Sequence, residues 1–491
     1  MKTAFIIFFI ICVVVFAYFI SIGFYQPLAL PLACFLTLIT YVFFRGDKNT
    51  NRIKNLLLIS SLVYITSSLI WPKYVALRPP GLPPIGIQRF ANLLALSSLV
   101  FAMFCSNWFR KEIANSFHRA KAFWIFLGMF VLFRFASVFV SPRPFSSAYI
   151  FLSDLFVHWP FIFAGILIGS SYRNLTLFSK IIACCFFINF FIVLSEYALG
   201  KNLFLQFVNT SIPELEWIMA EKTRSGFYRA QSIFTHSIVF AEFTSVSFCF
   251  TIFILSRIKN IIWRYITIIS AVLCASAMVI MSGSRAGYIG TAIAVSLAAF
   301  SPLINSLFRR QMNLKIIALW SFLIIVVVVA VGALGLVVYD YALGKYADAA
   351  SDNARILMLE RTFDKLIESP IVGHGPGLGA ELVGVEANRS VSAYTIDCLY
   401  ISYTVDSGLF AVISFTALLI IGVTRTFRTS FYGNKENWLM WYMISLSIIV
   451  FALFKIILSL IENNFLLFVI LGISVSETAQ SGKIQKYIRG A

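Results

Sequence analysis

Unbroken apolar runs of about 20 residues recur along almost the whole chain, and few folds accommodate them. Each run is long enough to cross a bilayer as a helix. A transmembrane β-barrel needs short segments of alternating polarity, which are absent here. About fourteen such windows can be drawn. They start near Ala4, Pro27, Leu56, Phe90, Ala122, Ile150, Ile181, Ile233, Tyr265, Ala286, Ile316, Thr395, Trp438 and Ile461. The last two are separated only by Glu462-Asn463-Asn464, a short stretch for a turn. The expectation is an all-α, polytopic integral membrane protein of about 12–14 transmembrane helices. Composition agrees: 60% of 491 residues are hydrophobic and 12% charged, too little polar cover for a soluble core. The first run lacks a small-residue cleavage site and reads as a retained span. The eight cysteines fall mostly inside apolar runs without metal-ligand spacing, so neither a disulfide framework nor a zinc site is implied.

A net charge of +18 raises the question of nucleic acid, but the distribution of the charge excludes it. With the N-terminus in the cytoplasm, the clusters Arg45/Lys48/Arg52/Lys54, Arg110/Lys111/Arg119/Lys121, Arg257/Lys259/Arg264, Arg309/Arg310/Lys315 and Arg425/Arg428/Lys435 all fall in cytoplasmic loops. Together with Lys2, Arg173, Lys180 and the basic tail they hold more than half of the 39 Lys+Arg. The basic charge is therefore a topology signal. Only two external segments are long, Gly200–Ser232 and Asp340–Tyr394. The chain divides into N-terminal membrane helices over residues 1–199 and a region 200–491 that carries both loops, 200–232 and 340–394. A protein that is nearly all membrane, with two long loops on one side, is expected to work on that side.

Several residues on that face have the chemistry of an anion site. Arg285 lies in Met281-Ser282-Gly283-Ser284-Arg285-Ala286-Gly287, at the turn between two spans. A guanidinium among small residues with accessible amides suits a phosphate or diphosphate. The plainer reading is an arginine snorkelling to the interface. Arg224 and Arg229 flank Gly226 in the first loop, where a turn would bring both to one ligand, and His236 follows at a span entrance. In the second loop Ser351-Asp352-Asn353 offers a helix N-cap, and Ile356, Leu359, Phe363, Leu366 and Ile367 form an apolar helical stripe ending at Pro370. That helix is expected to lie on or above the membrane. Arg355 and Arg361 point to different faces of it, so one of the two reaches a site.

Pro370 to Gly379 then reads as a tight loop with exposed amides. It is no nucleotide P-loop, because the Lys-Ser/Thr pair is missing. His374 within it is placed to bond an anion or the loop backbone. Asp397 opens the next span with Tyr400 three residues on, an expensive place for a carboxylate and thus a functional candidate. The alternative is a structural partner for Lys455 or for an arginine. Asp406, deeper on that helix, reads as a packing or ion-pair residue, while Glu196, Glu242 and Glu462 have no assigned place.

The order of Arg224-Ser225-Gly226-Phe227, Ser282-Gly283-Ser284-Arg285-Ala286-Gly287, the helix from Arg355, Pro370–Gly379 and Asp397–Gly408 resembles that of O-antigen ligases and polymerases. The resemblance covers roughly the C-terminal half. It implies a glycosyltransferase C-type-like membrane bundle, a metal-independent enzyme without cofactor or nucleotide sugar, and arginines that grip an undecaprenyl-diphosphate-linked oligosaccharide. It further implies the bacterial cytoplasmic (inner) membrane, with the site facing the periplasm or exterior. Membrane lipids, a chain-length regulator and a flippase are the implied partners, with no nucleic acid. Ligases of the family usually carry His-Asn where this chain has Asp397-Cys398, which points to a polymerase of O-antigen, capsule or exopolysaccharide repeats. On this reading Arg285, Arg224 and Arg355 contact the diphosphate, with Arg361 and Arg229 in reserve. Asp397 is the base, and His374, Tyr400 and His236 are acceptor or accessory contacts. The rivals are a ligase acting on lipid A core and a flippase or exporter. An exporter predicts internal repeats and a mid-membrane ionisable path, whereas no repeat is seen here and the charges gather at one face.

Overall fold

The computed structural model describes residues 50–76, 86–208, 223–224, 227–308, 349–388, 393–432 and 437–476. The expected spans near Ala4, Pro27 and Ile316 lie outside the described residues. Within them the chain is a helical membrane bundle with ten segments long and apolar enough to span a bilayer. In chain order the helices are α1 (Thr50–Ile70), α2 (Ile87–Cys105), α3 (Asn107–Arg119), α4 (Lys121–Val140), α5 (Pro144–Val157), α6 (Phe161–Ile168) and α7 (Tyr172–Leu199). They continue with α8 (Ser237–Leu255), α9 (Ile261–Ser282), α10 (Arg285–Phe308), α11 (Ala349–Glu368), α12 (Gly379–Val383), α13 (Leu399–Tyr432), α14 (Trp438–Ile457) and α15 (Asn464–Ser474). The only strands described are two antiparallel hairpins, β1 (Thr223–Arg224) with β2 (Phe227–Tyr228) and β3 (Val385–Asn388) with β4 (Ala393–Thr395).

Local sequence sets most boundaries. Ser171 caps α7 by accepting from the Asn174 amide at 3.3 Å, and Asn260 caps α9 through the amides of Ile262 and Trp263. The polar helix α3, capped by Ser106, bridges two spans on the basic face. The expected span from Ile150 is two pieces, α5 and α6, broken at His158-Trp159-Pro160 because proline has no amide to donate and disfavours helix in the residue before it. The last expected span is only the 11-residue α15, begun at Asn464 directly after the doubtful turn.

The most enclosed span is α8, with 83% of its apolar window buried. The short helices α6 and α15 meet through backbone: a Cβ on Gly165 would strike the Val469 carbonyl, and one on Gly472 the Ile162 carbonyl. Small residues of this kind let membrane helices approach where lipid supplies no hydrophobic drive. Aromatic stacking joins α4 to α13, with Phe133 against Phe410 at 5.1 Å and Phe130 against Tyr403 at 5.3 Å.

The connections sort onto two faces. Tyr74 bonds Asn202, Arg229 bonds Ser282, Arg143 bonds Glu381 and Thr235 bonds Glu462, so the external-side loops gather together. On the opposite face Arg425 donates to the Ser474 and Arg119 carbonyls, and Lys54 lies over the Trp108 ring. This matches the loop grouping expected from charge.

Candidate functional site

Two clusters on the loop-rich face carry the candidate residues. The first surrounds the turn between α9 and α10. Gly283 ends α9 in the left-handed conformation (φ 56°). The Arg229 side chain lies across it: a Cβ there would sit 3.1 Å from Arg229 Cγ. Arg229 Nε donates to the Ser282 carbonyl at 3.3 Å, and the next amide, Ala230, donates to the Met281 carbonyl at 2.9 Å. Ser284 Oγ accepts from the Gly287 amide and caps α10, whose first residue is the half-buried Arg285. The Arg229 side chain thus lies beside the positive end of a 24-residue helix whose first residue is Arg285, a setting that favours an anion.

Glu196, at the end of α7, holds this arrangement from behind. Its carboxylate accepts from Tyr228 Oη (2.8 Å), the Gln231 amide (3.0 Å) and the Ser232 amide (2.6 Å). Strands β1 and β2 pair with Arg224 opposite Phe227, while the turn expected around Gly226 lies outside the described residues. The side chain of Arg224 lies outside the described part. His236 is the N-cap of α8, its Nδ1 accepting from the Ile238 amide at 3.1 Å, which is a structural contact.

The second cluster surrounds the start of α13. Asp397 precedes that helix, and its Oδ2 is 3.5 Å from Arg355 Nη2, both side chains 40% exposed. Helix α11 begins two residues before the expected cap, yet the expected divergence of its arginines holds. Arg355 turns to Asp397, while Arg361 donates to the Gly384 carbonyl at 3.0 Å and fastens α11 to the chain beyond α12. Tyr400 does not share a face with Asp397, because α13 starts only at Leu399. Its hydroxyl donates to the Ala452 carbonyl of α14 at 3.2 Å. Burial pushes the Cys398 thiol above its ordinary value, so beside Asp397 it stays protonated at neutral pH.

The loop Pro370–Gly379 departs most from expectation. Its amides are consumed internally. Gly377 and Gly379 donate to the Asp406 carboxylate at 3.0 and 2.8 Å, and His374 and Gly375 donate to the carbonyls of Val405 and Asp406 at 2.9 Å. Those carbonyls are free because α13 breaks at Gly408 (φ 80°), where a Cβ would strike the Ile371 carbonyl. Leu409 donates to the Pro370 carbonyl in turn. The loop is a plug in a broken helix, which satisfies the backbone where no water is at hand. His374 takes the backbone option, with Nε2 3.0 Å from the Lys365 carbonyl.

Buried ion pairs brace the bundle. Arg134 pairs with Asp154 at 2.5 Å and lies over the Tyr403 ring at 4.7 Å, and Lys455 pairs with Glu242 at 2.8 Å. Lys455 is therefore not the partner of Asp397. Sequence reasoning left Glu196 and Glu242 unplaced, although an acid and a base inside neighbouring spans already signal a pair.

Fold and site define the class: a multi-pass membrane protein with an arginine-flanked carboxylate and an arginine-lined turn on one face. Residues 269–416 match the family model described as O-antigen ligase. That matched segment holds Arg285, Arg355, Arg361, His374, Asp397 and Tyr400, and it supports an assignment to the O-antigen ligase/polymerase family. Comparison with curated proteins gives no match. The match supports a role in the assembly of O-antigen or related polysaccharide, with lipid-linked glycans as the substrates it implies.

Proposed function

We propose that the protein is a metal-independent polymerase of lipid-linked oligosaccharide repeat units, acting at the external face of a bacterial inner membrane. The observation that carries this reading is Asp397 paired with Arg355, on the same face as the Arg229–Arg285 turn. The acceptor hydroxyl of one repeat unit attacks the anomeric carbon of another. The bond from that carbon to the diphosphate oxygen breaks, and undecaprenyl diphosphate leaves with the electron pair. The proton of the attacking hydroxyl passes to the Asp397 carboxylate, as general-base catalysis requires. Arg285 and Arg229, with Arg224 from the hairpin and Arg355, neutralise the charge growing on the leaving diphosphate.

The Arg355–Asp397 pair is half-exposed and thus worth at most about 1 kcal/mol, little enough for an arriving diphosphate to draw Arg355 away and uncover the base. Arg361, His374, Tyr400 and His236 serve the scaffold in this scheme, since each is bonded to backbone.

Polymerase is favoured over ligase by Asp397-Cys398 standing where ligases usually have His-Asn. Purified protein supplied with lipid-linked repeat units and no other acceptor tests the choice. A ladder of longer chains still on the polyprenyl diphosphate is expected. A product that forms only when lipid A core is added makes the protein a ligase.

A further inference from the structure

The turn between α14 and α15 touches the second cluster directly and reaches the entrance of α8, which packs on the first, and a buried ion pair holds it from beneath. Lys455 and Glu242 are both fully buried, with Nζ 2.8 Å from Oε1. Lys455 Nζ also donates to the Leu460 carbonyl at 3.2 Å. Asn463 Nδ2 donates to Glu242 Oε2 and to the Val239 carbonyl, both at 3.0 Å. Residues 458–463 are thereby tied to the pair at two points.

From this segment two contacts reach outward. The Ser459 hydroxyl donates to the carbonyl of Ile396, the residue before Asp397. The Glu462 carboxylate accepts from the Thr235 amide at 3.3 Å and its hydroxyl at 2.6 Å, at the entrance of α8. Helix α8 in turn packs on the first turn of α10: a Cβ on Gly287 would lie 2.8 Å from that of Ala241. Ion pairs are expensive inside a membrane, and apolar replacements of similar volume are often no less stable. Stability alone is a poor reason for this pair.

We propose that Glu242 and Lys455 are positioning residues that fix the separation of Asp397 from Arg285, through Ser459 on one side and α8 on the other. The proposal rests on the reading of those two residues as the transfer site. Neither member of the pair acts on substrate itself.

The test uses the full chain without native cysteines, spin-labelled at Thr395→Cys and Ile289→Cys, both exposed positions beside Asp397 and Arg285. Pulsed dipolar spectroscopy reads the distance between the labels without substrate. The double variant Glu242→Leu/Lys455→Met removes both charges at similar volume. Ser459→Ala cuts only the outward link and leaves the pair intact. Both are expected to broaden or shift the distance distribution. In the unlabelled protein both are expected to lower kcat, by up to about 10²-fold on the scale of a 1 Å misplacement, with KM for the lipid-linked donor unchanged.

An unchanged distribution in Ser459→Ala with parental kcat overturns the proposal, even if the double variant fails to fold. A parent protein that makes no polymer defeats the proposed reaction and leaves the distance test standing.

Discussion

The turn Ser282–Arg285 and the loop Pro370–Gly379 carry the same sequence signal, glycines beside a side chain able to bond an anion, and the fold uses them in opposite ways. At 370–379 the donors point inward, onto Asp406 and the carbonyls freed by the break in α13. At 282–285 the Arg229 side chain lies across Gly283, beside a helix start whose first residue is Arg285. The same division separates two aspartates of one segment. Asp406 is buried and receives two amides and the Ser402 hydroxyl, whereas Asp397 is half-exposed and meets one arginine. Glycine density in a membrane-edge loop is thus no guide to anion binding until the destinations of its amides are known.

The largest expected effect breaks the plug. Asp406→Ala strands the buried Gly379 amide at about 1–3 kcal/mol and also removes the anchor of the Gly377 amide, a sizeable share of the stability of a typical domain. Thermal unfolding in detergent is expected to show a large fall or no folded protein. An unperturbed melting point would mean that the loop does not depend on Asp406 and that its amides are open to ligand after all.

Arg285→Lys sharpens the other half of the comparison. A point charge does not reproduce a bidentate guanidinium contact, so polymer yield at equal protein level is expected to fall roughly tenfold or more while the melting point stays put. Full synthesis by the lysine variant returns Arg285 to snorkelling. His374→Ala, by contrast, removes one bond to the Lys365 carbonyl and is expected to cost about 1 kcal/mol of stability with little change in turnover.

Topology decides whether both turns face the side where lipid-linked glycan waits. In a cysteine-free background Thr395→Cys is expected to react with an impermeant reagent in intact cells, and Asn115→Cys, on α3, only after lysis. The reverse pattern inverts the loop assignment.

The smallest effect concerns Cys398. Because burial raises its thiol pKa, the thiolate is favoured less in the fold than in a free peptide. Alkylation of Cys398 as the sole cysteine is expected to follow a pH curve displaced above that of an ordinary thiol, about 8.5. A curve at or below that value denies the burial.

The ten described spans and the sorting of loops onto two faces were legible in the sequence, because hydropathy and loop charge report directly on lipid and topology. So was the divergence of Arg355 from Arg361, which needs only helical geometry. Asp406 as a loop anchor was hidden, since nothing in the spacing says that α13 breaks at Gly408 and offers its carbonyls to residues thirty positions earlier. Tyr400 was misplaced for a local reason: a helix starting at Leu399 rather than Thr395 puts Asp397 outside its register. Arg134 and Asp154 lie on consecutive helices, whereas Lys455 and Glu242 join segments far apart in sequence, where each charge signals that it needs a partner without saying which.

On the proposed mechanism Asp397 takes the acceptor proton while Asp406 only holds the loop. Asp397→Asn keeps the shape and removes the proton acceptor. Its turnover on purified lipid-linked repeat units, measured beside its melting point, is the most direct test. The expected result is a rate lower by about 10²-fold or more with donor binding and melting point unchanged. Parental turnover in Asp397→Asn contradicts the claim and leaves the arginines without the base assigned to them.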